Sequence, residues 1–146
     1  MEKVYSVAAA IDNWDDVYSF LDCLIKDVVS EKKVRTSVLV ACEEIFVNIS
    51  TYAYKHLDFP GDVTIKFLYD SAGNEICITF IDSGTQFDST KAGCADITSS
   101  VQDRKIGGLG IFLVKQIMDK MEYEYTQNQN VLKLTKKLHS QNLLKQ

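Results

Sequence analysis

The sequence predicts a two-layer α/β (α+β) sandwich, with a mixed, mostly antiparallel sheet carrying helices on one face. Three observations predict it. Short β-branched runs alternate at 63–68, 75–81 and 131–138, apolar residues recur at helical spacing across 14–29 and 30–54, and later strands come in pairs. The order β-α-α-β-β-loop-α-β-β is therefore not that of a doubly wound sheet, where strands and helices alternate singly.

Residues 4–10 form a first strand with weak alternation. Asp12 or Asn13 can cap a helix over 14–29, whose apolar stripe is Val17, Phe20, Leu21, Leu24 and Val28. Ser30 and Glu31 restart a longer helix to about 54. Its middle is apolar nearly all round, so a sheet and another helix or a subunit should cover it. Phe59-Pro60-Gly61-Asp62 punctuates the chain before a hairpin turning at Ser71-Ala72-Gly73-Asn74. Residues 84–106 lose periodicity, and so long a connection is usually functional, such as a lid, or else locally disordered. A helix over 108–121 follows, with Leu109, Phe112, Leu113, Ile117 and Met118 on its inner face. Strands at 122–126 and 131–138 flank a turn at Asn128-Gln129-Asn130, and 139–146 reads as a loose tail. The whole, 1–146, is one domain with one core.

An apolar fraction of 46% with a single Pro marks an ordered globular chain. The net charge of −4 argues against DNA or RNA as the main partner, since phosphate-tracking proteins are usually basic. Cys23, Cys42, Cys77 and Cys94 form no CxxC pair and have no histidine at ligand spacing, which points to reduced thiols rather than a disulfide scaffold or zinc site. No signal peptide opens the sequence, and no apolar run approaches the ~20 residues that span a bilayer. The expected location is the cytoplasm, away from the membrane.

Three separated segments carry the chemistry. Glu44 and Asn48 lie one turn apart on one helical face, inside a strongly apolar stretch where polar groups need partners. They are either a solvated stripe or functional groups: Asn48 a hard oxygen for Mg²⁺, Glu44 a base for a hydroxyl or water. Asp82 ends a strand and turns through Ser83 into Gly84. Such an aspartate commonly just forms a turn, but its carboxylate also suits the exocyclic amine of adenine, with Gly84 allowing close approach. Gly107-Gly108-Leu109-Gly110 opens a helix, at a conformational cost of up to ~1 kcal/mol per internal glycine relative to Ala. Free N–H groups and the helix dipole at such a start suit a polyphosphate. Arg104 and Lys105 just upstream are either additional phosphate contacts or plain surface charge. No GxxxxGK[ST] is present, which excludes a Walker-type NTPase, and the HRD and DFG strings of protein kinases are absent. Neither His56 nor His139 sits in a helical hairpin suited to phosphorelay.

Together these segments resemble the GHKL ATPase superfamily, and more narrowly the small serine-protein kinases that act as bacterial anti-sigma factors. The resemblance covers about 4–138 and is most specific from Arg104 through Asp119. It implies a Bergerat ATP-binding fold with ATP and Mg²⁺ as cofactors. By resemblance Glu44 is the base, Asn48 binds Mg²⁺, and Asp82 with Gly84 reads adenine. Gly108 and Gly110 bind phosphate, Gly107 hinges the lid over 84–106, and Arg104, Lys105 and Leu109 join the nucleotide site. The Asp-x-Gly-x-x-Phe-Asp form at 82–88 is typical of the anti-sigma branch, whereas histidine kinases more often carry a second glycine where Gln86 stands. Ser89 replaces a frequent proline, and a threonine that a late strand commonly supplies to the adenine pocket has no clear counterpart, Val131 and Leu132 occupying its neighbourhood.

The resemblance implies a serine kinase that phosphorylates a STAS-type anti-anti-sigma protein and alternatively sequesters a sigma factor, plausibly as a homodimer. A different class is also open: a nucleotide-responsive binding protein without useful kinase activity, in which ATP orders 84–106 to switch a protein interface. The detached catalytic domain of a histidine kinase is disfavoured by Gln86 and by the lack of a phosphoacceptor helix.

Overall fold

In the computed structural model, residues 1–91 and 108–139 are described, with Gly108 and Leu109 by backbone alone. The elements run β1 (Glu2–Ala8), α1 (Trp14–Val28), α2 (Lys32–Asn48), β2 (Asp62–Asp70), β3 (Glu75–Asp82), α3 (Gly108–Ile117), β4 (Lys120–Thr126) and β5 (Gln129–Lys137). The five strands form one sheet in the order β1-β2-β3-β5-β4. Every neighbouring pair is antiparallel, so the sheet goes further than the mixed, mostly antiparallel one expected.

The core lies between the sheet and the helices. Ile65, Phe67, Ile76, Ile78, Phe80 and Leu134 project from the strands onto Val17, Leu21 and Ile25 of α1 and Val38, Cys42, Ile45 and Phe46 of α2. Each such side chain contributes about 1.5–3 kcal/mol on burial. The apolar girth of α2 is met as expected from more than one side, by the sheet and by α1 and α3 flanking it. Burial pushes the Cys42 thiol far above its ordinary value, leaving it protonated and inert, whereas Cys23 is exposed.

Several boundaries differ from the sequence reading, each for a local reason. The first strand starts earlier and ends at Ala8, because the peptide then enters a 3₁₀ turn, Ile11–Asn13. Asn13 does not cap α1; its amide donates to the Ala8 carbonyl at 2.9 Å. The stripe of α1 also includes Ile25, fully buried. The long helix is α-helical only to Asn48 and continues as a π-helical turn, Ile49–Ala53. The last helix ends at Ile117 rather than near 121, since Asp119 N–H already donates to Thr135 O and β4 begins at Lys120. Its buried face is Ile111, Val114 and Met118, whereas Phe112 (38%) and Leu113 (39%) are exposed. In an all-apolar run the helical periodicity does not reveal which side faces inward.

The final turn also shifts. Gln127 (φ 53°) and Asn128 (φ 60°) are its two central residues, with Thr126 paired to Gln129, as in a two-residue hairpin of type I′. The expected turn at 128–130 is thereby displaced, and Asn130 becomes a strand residue directly opposite Asp82.

Candidate nucleotide site

A cavity of about 530 Å³ opens between the C-terminal part of α2, the end of β3 and the start of α3. Asn48 and Asp82 line it together, with Ile45, Ile49, Ile111 and Leu132 supplying an apolar wall. Tyr52, Lys55 and His56, in and just after the π turn, and Thr85, Gln86 and Phe87, after β3, complete the lining. A mostly apolar cleft with few polar groups is the ordinary form of a small-molecule site.

Asp82 is the buried charge of this cavity, only 6% exposed. Its Oδ1 accepts the Gly84 N–H and the Asn130 amide, each at 2.9 Å. Burial raises its carboxyl above the ordinary value, and those two hydrogen bonds pull it back. Its Oδ2 has no protein partner among the described residues.

The turn after Asp82 is held from two directions. Tyr54 donates its hydroxyl to Asp62 O at 2.6 Å and accepts the Ser83 N–H at 2.8 Å. Thr85 N–H donates to Ala53 O at 2.8 Å, the carbonyl that closes the π turn. Gly84 is pressed so closely on Ala53 that a Cβ there would collide with its carbonyl. π turns of this kind often mark functional positions. Here it carries the contact between helix and loop.

On the opposite side Asn48 projects from the last turn of α2. Its Nδ2 is buried with no partner among the described residues. An orphaned amide in a protein interior costs about 1–3 kcal/mol, so its place on a cavity wall fits a ligand that satisfies it. The described residues contain no cluster of three or more His, Cys, Asp or Glu able to hold a metal. The unmet Nδ2 hydrogens call for an acceptor such as a phosphate oxygen; a Mg²⁺ would be held by Asn48 through Oδ1 only, with phosphate oxygens and water completing its shell.

Glu44, one turn before Asn48, is half-buried and stands outside the cavity lining, with its carboxylate against Gly110. A Cβ at 110 would overlap that carboxylate. The structure thus brings Glu44 to the start of α3 and places Asn48 and Asp82 in one cavity. Gly108 and Leu109 take part as the first backbone of α3. Arg104, Lys105, Gly107 and most of the expected lid lie outside the described residues.

Asn130 went unrecognised in the sequence because it was assigned to a turn, and the late-strand polar group was sought at 131–132. Its signal was present nonetheless: Gln127-Asn128 is the better two-residue turn, and Asn130 then alternates with Leu132 and Leu134 on the inner face.

The histidine kinase-like ATPase domain matches residues 7–136, nearly all of this fold. The chain belongs to that family. Among curated relatives, this histidine kinase-like ATPase domain is similar to serine-protein kinase RsbW of Listeria monocytogenes serotype 4a (strain HCC23), 28% identical over 97 residues. That match covers 64% of the chain and 60% of the relative. It is likewise similar to serine-protein kinase RsbW of Bacillus cereus (strain AH820), 32% identical over 98 residues, covering 64% of the chain and 58% of the relative. The domain therefore spans about three-fifths of the length of the curated relatives it matches. No helix among its described residues is long and apolar enough to cross a membrane.

Proposed function

We propose that the chain is an ATP/Mg²⁺-dependent serine-protein kinase acting as a cytoplasmic anti-sigma regulator. Its substrate would be a serine hydroxyl on a STAS-type anti-anti-sigma protein, and its alternative partner a sigma factor, with a homodimer as the working state. The supporting observation is the placement in one apolar cleft of Asp82, one of whose carboxylate oxygens has no partner among the described residues, and Asn48, whose Nδ2 likewise has none among them. The similarity to serine-protein kinases named RsbW supports the reaction type.

In this reading Ile49 and Leu132, in the apolar lining, would hold adenine and Asp82 would accept a hydrogen bond from its amine. The triphosphate runs toward the first turn of α3, where free N–H groups and the helix dipole receive it. Asn48 Oδ1 would hold Mg²⁺, which when bound would supply charge neutralisation at the phosphates. Glu44 accepts the proton of the substrate hydroxyl as its oxygen bonds to the γ-phosphorus and the bond to the β-phosphate oxygen breaks, leaving ADP. Catalysis is then chiefly positioning and charge stabilisation.

Glu44→Gln keeps the size and hydrogen-bonding reach of the side chain but cannot take the proton. It is expected to bind ATP within about twofold of the wild type and to lose about 100-fold or more in phosphotransfer. Radiolabel transfer from ATP to a STAS-domain substrate measures this, and full transfer by the mutant refutes the role. The position of Glu44 outside the cavity lining favours one rival, a nucleotide-responsive protein switch without transfer. ATP-dependent complex formation by the wild type with no label transferred would establish that rival.

A further inference from the structure

Asn130 is 6% exposed, and its side chain is fully committed. Nδ2 donates to Asp82 Oδ1 at 2.9 Å and to Thr85 O at 3.0 Å, with Gly84 O at the 3.5 Å limit. Oδ1 accepts the Phe87 N–H at 3.1 Å and the Tyr123 hydroxyl at 2.6 Å. The orientation of this amide is dictated by its neighbours: a carbonyl such as that of Thr85 can only accept, and the N–H of Phe87 can only donate. Both hydrogens and both lone pairs are therefore spent inside the protein. Asn130 has nothing left to offer a nucleotide directly.

Its effect falls instead on Asp82, its partner across the β3–β5 ladder. A carboxylate held at one oxygen by a single donor can pivot and share its charge between two directions. Asp82 receives two donors on Oδ1, from Asn130 and from Gly84 N, which pins the group and leaves Oδ2, on a side chain that lines the cavity, without a partner among the described residues. The same Asn130 holds Thr85 and Phe87, so the cavity wall beside that oxygen is set by the same side chain.

We propose that Asn130 is a positioning residue that sets base selectivity, by occupying one oxygen of Asp82 so that the other is aimed at an exocyclic amine of the base. This rests on the nucleotide reading above. Asn130 itself lines the cavity beside Asp82, but its hydrogen-bonding groups are spent on the protein, so it acts on the adenine amine through Asp82.

The test is a cycle between ligand and side chain. Dissociation constants for ATP and for purine riboside triphosphate, identical but for the missing amine, are measured by calorimetry with Mg²⁺ on the wild type and on Asn130→Leu. The wild type is expected to prefer ATP by about tenfold or more, as sites built to hydrogen-bond a group do. In Asn130→Leu that ratio should fall to within about twofold of unity, while purine riboside triphosphate, bound through its phosphates, changes less than about threefold. A clamp that merely held the loop in shape would weaken both ligands together and leave the ratio intact, and that result overturns the proposal. Asn130→Ala, which leaves room for water at the stranded groups, decides the matter if the leucine variant fails to fold. A wild type that binds both ligands equally also overturns it, with the nucleotide reading left standing. A wild type that binds neither removes the nucleotide reading itself.

Discussion

Asp82→Asn is expected to destroy ATP binding without weakening the fold at neutral pH. Asparagine preserves the accepting oxygen that Asn130 and Gly84 N use, but puts an NH₂ in place of the second oxygen of this cavity-lining residue. A donor then opposes the amine of adenine, and affinity should fall on the order of 100-fold. The stability side follows from proton linkage. Burial holds the folded-state pKa of Asp82 above the ordinary 3.8, so the folded protein binds its proton more tightly than the unfolded chain does. The stabilisation this represents is full below the ordinary value and is lost as pH rises through the folded-state value. Near neutrality the ionised carboxylate is therefore a standing cost that asparagine removes. Thermal melts between pH 3 and 8 should show Asp82→Asn at least as stable as the wild type at pH 7, with a flatter decline from the acid side. Calorimetry that finds ATP affinity unchanged in this variant would remove Asp82 from base recognition.

The second large effect separates two glycines that look alike in sequence. At Gly84 an added methyl meets the Ala53 backbone, which cannot yield without moving the π turn. Gly84→Ala should destabilise the protein by about 1–3 kcal/mol. At Gly110 the methyl meets the tip of the Glu44 side chain, which can swing aside. Replacing a helical glycine also recovers up to ~1 kcal/mol of propensity, so Gly110→Ala should melt at or above the wild-type temperature. Its phosphotransfer should nonetheless drop by about 100-fold, because the carboxylate has been displaced from the start of α3. Melting curves and single-turnover label transfer on the two variants check the contrast. A fully active Gly110→Ala would show that the Glu44–Gly110 contact plays no part in the chemistry.

The layers and the order of elements were legible because they depend on period: alternation in β2, β3 and β5, and an apolar stripe on α1. Glu44 and Asn48 were legible as a pair for the same reason, since four residues make one turn. What period alone cannot supply was misread. The uniformly apolar run of α3 has no polar side to orient it, so Ile111 and Val114 were passed over for Phe112 and Leu113. The π turn at 49–53 meets Gly84 and Thr85 in tertiary contacts that no local pattern encodes. A shift in one hairpin decided the identity of the residue facing Asp82. Asp82, which reads as the end of a strand, and Asn130, which reads as a turn residue, form a cross-strand pair.

The carbonyl of Ala53 has a wider meaning. Helix ends leave such oxygens without partners inside the helix, and water usually serves them. This one is served by the amide of Thr85, within the loop that borders the base cavity. The end of the helical segment that continues α2 and the rim of the cleft therefore share a hydrogen bond, worth about 0.5–1.5 kcal/mol, that fraying of either would break. Order at the helix end and order at the rim thus favour one another, because loss of either leaves a polar backbone group of the other without its partner.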